Sequence, residues 1–132
     1  TADLMRWEPA ELVPAILLDA PCSSTGIFTR HPDVLHRVRP SDIAQLAELQ
    51  AAMIARVATW LQPGGTLIYA TCSLERPEGE DQIKVAETAG LQLSPITPDA
   101  LGAGIVPDPG GWVRVLPVNH ADGFFIARFN RP

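Results

Sequence analysis

Two cysteines and one aspartate are the side chains of this sequence whose types and spacing best suit chemistry. Asp19 and Cys22 follow the apolar run Ile16-Leu17-Leu18, and Cys72 follows a second run at residues 65–71. A thiolate is a strong nucleophile, and a carboxylate beside it can hold or transfer a proton. One free cysteine alone is more often a small buried hydrophobic residue. Two thiols and a carboxylate at the ends of two apolar runs instead indicate covalent catalysis.

The two apolar runs predict the strands that position these side chains. Three aliphatic residues bounded by turn formers are typical of a strand that is buried on both faces. Pro21 has no backbone N–H to donate, so the first strand should end there. Between the runs, apolar side chains recur at helical spacing over residues 43–61. This pattern predicts a helix that Ser41 caps and that residues 62–65 close.

A strand, a helix and a second strand in this order form a βαβ unit, in which the two strands run parallel. Their carboxyl ends lie at the same edge of the sheet, which is where open α/β sheets bind ligands. If the strands are neighbours, about 4.8 Å apart, we expect Cys22 and Cys72 to lie within roughly 5–10 Å of one pocket.

Smaller elements are expected in the rest of the chain. Residues 74–79 predict a polar turn whose acids, including Glu78, lie on a solvated face, and a helix follows up to Gly90. A short strand is expected over residues 91–96, and a proline-rich and glycine-rich loop, a candidate lid, over residues 95–111.

The last two apolar runs, residues 112–117 and 123–129, flank a turn at residues 119–123. They predict a closing antiparallel strand pair. The segment Gly102-Ala103-Gly104 lacks the third glycine and the following helix of a dinucleotide-binding fingerprint, so it predicts no such site.

Composition limits the class of protein. The chain has 132 residues, of which 46% are hydrophobic, enough for one folded domain with a core. Its 10 basic and 15 acidic residues give a net charge of -5, which disfavours a module held on a polyanion mainly by charge. Residues 30–39, with three arginines and two histidines, are a local exception that fits a solvated loop and short helix or, next to Cys22, about equally a loop that contacts a phosphate backbone.

The cysteine usage and the hydropathy pattern indicate a cytoplasmic protein. Two cysteines without Cys-x-x-Cys spacing argue against structural zinc or any other metal site, and against a disulfide scaffold. There is no run of about 18 apolar residues, so we expect no membrane partner.

The segments Asp19-Ala20-Pro21-Cys22-Ser23 and Thr71-Cys72-Ser73 resemble the Sun/Fmu (RsmB-type) family of S-adenosylmethionine-dependent RNA cytosine-C5 methyltransferases. The likeness continues through Arg30-His31-Pro32-Asp33, residues 61–67 and Asp122-Gly123-Phe124-Phe125, and so covers nearly the whole chain. It implies an α/β fold: the carboxyl-terminal part of a Rossmann-like class I methyltransferase domain, mostly parallel, with a closing antiparallel strand pair.

The resemblance also implies roles for individual residues. Cys72 would attack C6 of cytosine, and Cys22 would help to release the product. Asp19 would contact cytosine N3 and also border the cofactor, S-adenosylmethionine, and Asp3 would approach its adenine. Residue spacing by itself leaves the order of the two thiols open, because related DNA enzymes resemble the reverse assignment, in which the Pro-Cys thiol attacks.

Substrate contacts are implied for Pro21, Ser23, Arg30 and His31, with an rRNA or a tRNA as the partner. A paired base must leave its helix to reach such a pocket, so we expect flipped or single-stranded RNA. Glu78-Gly79 stands where the family commonly has Glu-Asn.

The resemblance further implies that residues 1–132 are a partial methyltransferase domain. The family's glycine-rich cofactor loop and its acidic ribose contact lie upstream of anything present here, so we expect the fragment alone to be inactive. The strand at Ile16-Leu17-Leu18 would then be an exposed apolar edge, which predicts self-association.

Two other functions stay open. One is an amino-methyltransferase, because Asp-Ala-Pro-Cys faintly resembles the motif that holds an exocyclic amine, although that chemistry needs no thiol such as Cys72. The other is an RNA-interaction domain without catalysis.

Overall fold

The computed structural model describes residues 2–102, 104–118 and 121–132. Within these ranges the sheet strands are β1 (Val13–Asp19), β2 (Leu61–Thr71), β3 (Gln92–Leu93), β4 (Val113–Val115) and β5 (Phe124–Asn130). The α-helices are α1 (Val34–Arg37), α2 (Pro40–Ala58) and α3 (Glu80–Thr88). Single 3₁₀ turns lie at Thr25–Ile27, Arg76–Glu78 and Pro98–Ala100.

Three sequence-based expectations fall partly on positions outside the described residues. These positions are Thr1, two residues before the expected cofactor residue Asp3, Ala103 in the segment Gly102-Ala103-Gly104, and Asn119 and His120 in the predicted turn.

The sheet has the order β1-β2-β5-β3, and β4 also pairs with β5. β1 and β2 run parallel, with Leu18 opposite Tyr69 and Asp19 opposite Ala70, and α2 crosses between them. The predicted βαβ unit and the α/β class are therefore confirmed. The antiparallel share of the sheet is larger than expected, because β5 pairs antiparallel with β2, β3 and β4.

One face of the sheet carries the hydrophobic core. Side chains alternate between the faces of a strand, and those of β2 and β5 that point to this face are fully buried: Leu67, Tyr69, Phe125, Ala127 and Phe129. Helices α2 and α3 contribute Ile54, Val57 and Ala86 to the same cluster.

The prediction that the first strand is buried on both faces is wrong for β1. Leu18 is 5% exposed, whereas Leu17, which points to the opposite face, is 71% exposed. Within the described ranges β1 is an edge strand that pairs only with β2. On the face of β1 opposite the core, no helix or strand of the described residues covers the side chains.

Helix α2 begins one residue before the predicted cap. Pro40 is its first residue, where the missing N–H costs nothing. The Asp42 carboxylate accepts the backbone N–H of Arg39 at 3.0 Å, so Asp42 rather than Ser41 caps the helix and the Ser41 prediction is wrong. The acidic side chain also suits the positive end of the helix dipole.

The elements that follow β2 agree with the predictions in type but are shorter. Helix α3 is confirmed, and Gly90 follows it with a φ of +87°, a left-handed conformation that glycine adopts without strain. The strand predicted over residues 91–96 is observed only as β3, since Pro95 has no N–H for the ladder. The closing antiparallel pair is confirmed as β4 and β5.

None of the described helices is both long enough and apolar enough to span a lipid bilayer.

Candidate active site

The two thiols lie in contact with each other beyond the carboxyl ends of β1 and β2. The sulfur atoms of Cys22 and Cys72 are 3.3 Å apart, and both side chains are half-buried. They meet because the parallel strands are direct neighbours and end together, Asp19 being opposite Ala70. The predicted proximity of the two thiols is therefore observed, and the sulfur atoms are closer than the strand spacing alone required.

Backbone hydrogen bonds hold the loops that carry the thiols. The N–H of Ala20 donates to the carbonyl of Ala70 at 3.0 Å, which extends the ladder beyond β1. Past the turn, the N–H of Gly26 donates to the carbonyl of Cys72 at 2.9 Å, and the N–H of Gly123 donates to the carbonyl of Gly26 at 2.8 Å. The loop after β1 is thus fixed between the Cys72 loop and the segment that leads into β5.

Ser24 is a site residue that sequence reasoning missed. Its hydroxyl lies 3.5 Å from the sulfur of Cys72 and 4.0 Å from the sulfur of Cys22. Its φ of +59° lies in the left-handed region, which non-glycine residues enter infrequently and which concentrates at functional sites. No sequence signal distinguished Ser24 from the other residues of the turn.

Burial raises the pKa of the Cys22 thiol to about 12, and the hydrogen bond with Cys72 adds to the rise. A thiol with so high a pKa keeps its proton at neutral pH. Cys22 can therefore donate its S–H toward the sulfur of Cys72.

Burial, the largest cause of the raised pKa, remains in the Cys72→Ala variant, so alkylation of Cys22, its only cysteine, should be slow there. Because a raised pKa means less thiolate at any given pH, reaction with iodoacetamide should be slow at pH 8 and should still accelerate above pH 10. The same variant unfolded in urea is the control, and its rate should level off as an ordinary thiol ionises. A folded-state rate that levels off near pH 9 would contradict the raised pKa.

Glu78 is the second site residue that the sequence did not reveal, and the prediction that it lies on a solvated face is wrong. Its side chain is fully buried. The carboxylate accepts the backbone N–H of Ser23 at 2.9 Å, the hydroxyl of Ser73 at 2.6 Å and the amide of Gln50 at 3.0 Å. The hydroxyl of Ser23 is a fourth donor. The repeated Cys-Ser pair at 22–23 and 72–73 is the signal that could have indicated a shared partner.

The predicted substrate residues Ser23 and Pro21 are placed differently from each other. Ser23 is buried, with its N–H and its hydroxyl both directed to Glu78. Pro21 is exposed, and its carbonyl accepts the side-chain amide of Gln50 at 2.8 Å. A direct contact of Ser23 with substrate stays a prediction, because both hydrogen-bonding groups of Ser23 are bonded to Glu78 within the protein.

Arg30 pairs with Asp122 at the surface. Its Nε donates to a carboxylate oxygen of Asp122 at 2.9 Å, and a second bond joins Nη2 to the other oxygen. The hydrogen bond from Arg30 lowers the pKa of Asp122. The pair ties the basic loop to the segment before β5, and the Arg30 side chain remains 59% exposed, as required for contact with a phosphate. The neighbouring His31 is also exposed.

Of the two acids assigned to the cofactor, Asp19 lies at the strand end that leads to Cys22 and Asp3 lies in a separate surface turn. Asp19 is the last residue of β1 and is exposed. The Asp3 carboxylate accepts the N–H of Met5 at 2.9 Å and faces Arg6 at 3.6 Å. Both carboxylates are open to solvent, so they are free to accept hydrogen bonds from a ligand.

Comparison with known proteins places this geometry in a family. The family model described as 16S rRNA methyltransferase RsmB/F matches residues 2–130. The chain is 42% identical over 130 residues to the ribosomal RNA small subunit methyltransferase B of Shewanella oneidensis, covering 96% of this chain and 29% of the relative. It is 46% identical over 124 residues to the protein of the same name from Salmonella newport, covering 93% of this chain and 27% of the relative.

A solved structure agrees with the sequence matches. NSun6 from Pyrococcus horikoshii, solved with SFG, superposes with a TM-score of 0.74 at 32% identity, over 88% of this chain and 29% of that chain. The chain thus spans less than a third of the length of these relatives. Since the family model covers nearly all of it and the fold agrees, the chain belongs to the RsmB/F family of 16S rRNA methyltransferases.

Proposed function

We propose that this chain is part of the catalytic domain of an S-adenosylmethionine-dependent rRNA cytosine-C5 methyltransferase in which Cys72 is the nucleophile. The observation that carries the proposal is the contact of the two thiols, 3.3 Å apart at the ends of neighbouring parallel strands. The exposed carboxylate of Asp19 lies at the same strand end. An RNA substrate is further supported by the printed names of the bacterial relatives.

In the first step, the sulfur of Cys72 adds to C6 of cytosine. This bond breaks the aromaticity of the ring and makes C5 an enamine carbon with nucleophilic character, so one hard step becomes two easier ones. Asp19 hydrogen-bonds or protonates N3 of the base, which draws electron density from C6 and stabilises the charge that develops there.

S-adenosylmethionine, when bound, supplies the methyl group that C5 takes up. The C5 proton then leaves to solvent and the electrons of its bond form the C5–C6 double bond, while the bond between C6 and the Cys72 sulfur breaks and its electrons return to that sulfur. Cys22 acts at this stage: its thiol retains its proton and can donate a hydrogen bond to the departing sulfur at 3.3 Å. The order of the thiols is taken from the family resemblance, and the raised pKa of Cys22 agrees with a thiol that donates a hydrogen bond rather than one that attacks.

The basic loop provides the surface for the RNA backbone. The Arg30 side chain is 59% exposed near the exposed His31, and Pro21 lies exposed directly before Cys22. Contacts from such residues to phosphates position a strand without reading its sequence. Because the half-buried thiols could not reach C6 of a base stacked within a helix, the target cytosine should be single-stranded or flipped. The free thiols fit a cytoplasmic location.

The residues present fit only one side of the cofactor. Asp3 and Asp19 are exposed carboxylates that can accept hydrogen bonds from its adenine and amino groups. Residues 1–132 contain no glycine-rich loop of the kind that holds such a cofactor. We therefore propose that this partial domain is inactive alone and that it binds S-adenosylmethionine weakly or not at all.

Product analysis tests the proposed reaction. The chain replaces the matching segment of the Shewanella oneidensis relative, and this chimaera is incubated with labelled S-adenosylmethionine and small-subunit rRNA. We expect 5-methylcytidine from the chimaera and no product from the 132-residue chain alone. An N-methylated base would instead support the amino-methyltransferase. If the unmodified relative methylates the rRNA but the chimaera only binds it, the result would support an RNA-interaction domain.

Self-association of the isolated chain is expected through β1. This edge strand carries Leu17, which is 71% exposed, so its unpaired N–H and C=O groups and its apolar side chain can pair with a second copy. Light scattering should show concentration-dependent association that Leu17→Lys abolishes. The control is Leu35→Lys, because Leu35 is 54% exposed on α1. A wild-type chain that stays monomeric at high concentration would contradict this proposal.

A further inference from the structure

We propose that Glu78 is the positioning residue of the thiol pair: its buried carboxylate ties the Cys22 loop to the Cys72 loop and holds the two sulfur atoms in contact. The catalytic meaning of this role rests on the function proposed above. The positioning itself is a property of the described chain.

The contacts of Glu78 join the residues that directly follow the two cysteines. One carboxylate oxygen accepts the N–H of Ser23, and the other accepts the hydroxyls of Ser23 and Ser73. The two serine hydroxyls are also 3.2 Å from each other. Each cysteine is therefore one residue away from a hydrogen bond to the same carboxylate.

The carboxylate has a complete set of partners. An ionised carboxyl group accepts about four hydrogen bonds, and Glu78 receives two from Ser23, one from Ser73 and one from Gln50. Gln50 comes from α2 and also donates to the carbonyl of Pro21 at 2.8 Å. Because N–H donors meet one carboxylate oxygen and two serine hydroxyls meet the other, a glutamine at position 78 would either oppose N–H groups to N–H groups or force both hydroxyls to reverse.

The network extends to the backbone of both loops. The hydroxyl of Ser73 accepts the N–H of Glu75 at 3.0 Å, and the hydroxyl of Thr25 accepts the N–H of Leu74 at 2.9 Å. The backbone of Glu78 is fixed as well, because its carbonyl accepts the Tyr69 hydroxyl at 2.8 Å. The Glu78 carboxylate is fully satisfied, whereas Oε1 of Gln50 has no hydrogen-bond partner among the described residues. Four hydrogen bonds to one buried carboxylate hold the two loops firmly, and a firm support is what a thiol pair in contact needs.

A buried residue such as Glu78 could stabilise the fold without positioning the thiols, so the test must measure a property of the thiol pair itself. Disulfide formation does so, because two thiols held in contact have a high effective concentration toward each other. In the reaction, Cys22 and Cys72 are oxidised to a disulfide while one oxidised glutathione is reduced to two glutathione molecules. The equilibrium in glutathione buffers of known composition gives the effective concentration directly.

The experiment compares Glu78→Gln with Glu75→Gln in the 132-residue chain, without cofactor or RNA. Glu75 precedes the same turn and its side chain makes no capping hydrogen bond, so it is a matched control. We expect the wild type and Glu75→Gln to agree, and Glu78→Gln to show an effective concentration lower by about tenfold or more, because small displacements of paired reacting groups have large effects. Circular dichroism checks that each variant is folded.

If Glu78→Gln does not fold, Ser23→Ala serves as the second variant, since it removes one arm of the network and keeps the carboxylate. It should lower the effective concentration severalfold. A folded Glu78→Gln or Ser23→Ala with the effective concentration of Glu75→Gln would overturn the proposal. Absence of methyl transfer in the chimaera would refute the proposed function and leave this measurement valid, so the two failures are distinguishable.

Discussion

Replacing Cys72 by alanine is expected to abolish methyl transfer, whereas replacing Cys22 by alanine is expected to leave the protein covalently attached to its RNA. Without the Cys72 sulfur no bond to C6 forms and C5 stays unreactive, so the rate should fall by roughly 10⁴-fold or more. Without Cys22, the adduct forms but the departing sulfur loses its hydrogen-bond donor, which lies 3.3 Å away in the wild type.

Both variants are measured in the chimaera by methyl incorporation and by the fraction of protein that migrates with RNA under denaturing conditions. Ser24→Ala is an informative control, because Ser24 contacts both sulfurs without being a nucleophile and should reduce the rate only modestly. The reverse pattern, with trapping in Cys72→Ala and loss of methylation in Cys22→Ala, would exchange the roles of the thiols. Normal turnover by Cys72→Ala would remove the mechanism altogether.

Replacing Gly26 by alanine is expected to disrupt the site more than any other single methyl addition in the Cys22 loop. A Cβ atom at this position would lie 2.3 Å from the carbonyl oxygen of Gly123 and 2.8 Å from that of Cys72. Both neighbours are backbone atoms of residues that hydrogen-bond to Gly26, through the Cys72 carbonyl and the Gly123 N–H, so neither can move aside as a flexible side chain would. The unfolding free energy should fall by about 3 kcal/mol or more.

Urea denaturation measures this loss. Gly102→Ala is the matched control, because nothing lies within 4 Å of the added Cβ and the residue is exposed. Its stability should change by no more than about 0.5 kcal/mol. If Gly26→Ala matched the control, the close packing of the Cys22, Cys72 and Gly123 segments would be in error.

The parts of the fold that follow from local patterns could be predicted from the sequence. Apolar runs, helical periodicity and the order of elements gave the βαβ unit, and from it the meeting of Cys22 and Cys72. These inferences succeed because the parallel crossover leaves few ways to place two consecutive strand ends. The end of β3 is not predicted correctly: the strand is expected over residues 91–96, whereas it is Gln92–Leu93, before Pro95.

Features that depend on contacts distant in sequence could not be predicted. Glu78 sits in a polar turn among other acids, and its burial results from three partners that come from three separate segments: Ser23, Gln50 and Ser73. Leu17 has the composition of a core residue, yet it is exposed because no layer of the described chain covers that face of β1. In both cases the environment is set by tertiary packing, which local propensity does not encode.

The most direct test of the central claim is to identify the sulfur that bonds to the base. The wild-type chimaera is incubated with S-adenosylmethionine and rRNA that contains 5-fluorocytidine, in which fluorine replaces the C5 hydrogen whose loss as a proton permits release. The adduct should therefore persist, and mass spectrometry of its peptides should find the nucleotide on Cys72. A nucleotide on Cys22, or no adduct from a chimaera that methylates unmodified rRNA normally, would contradict the account.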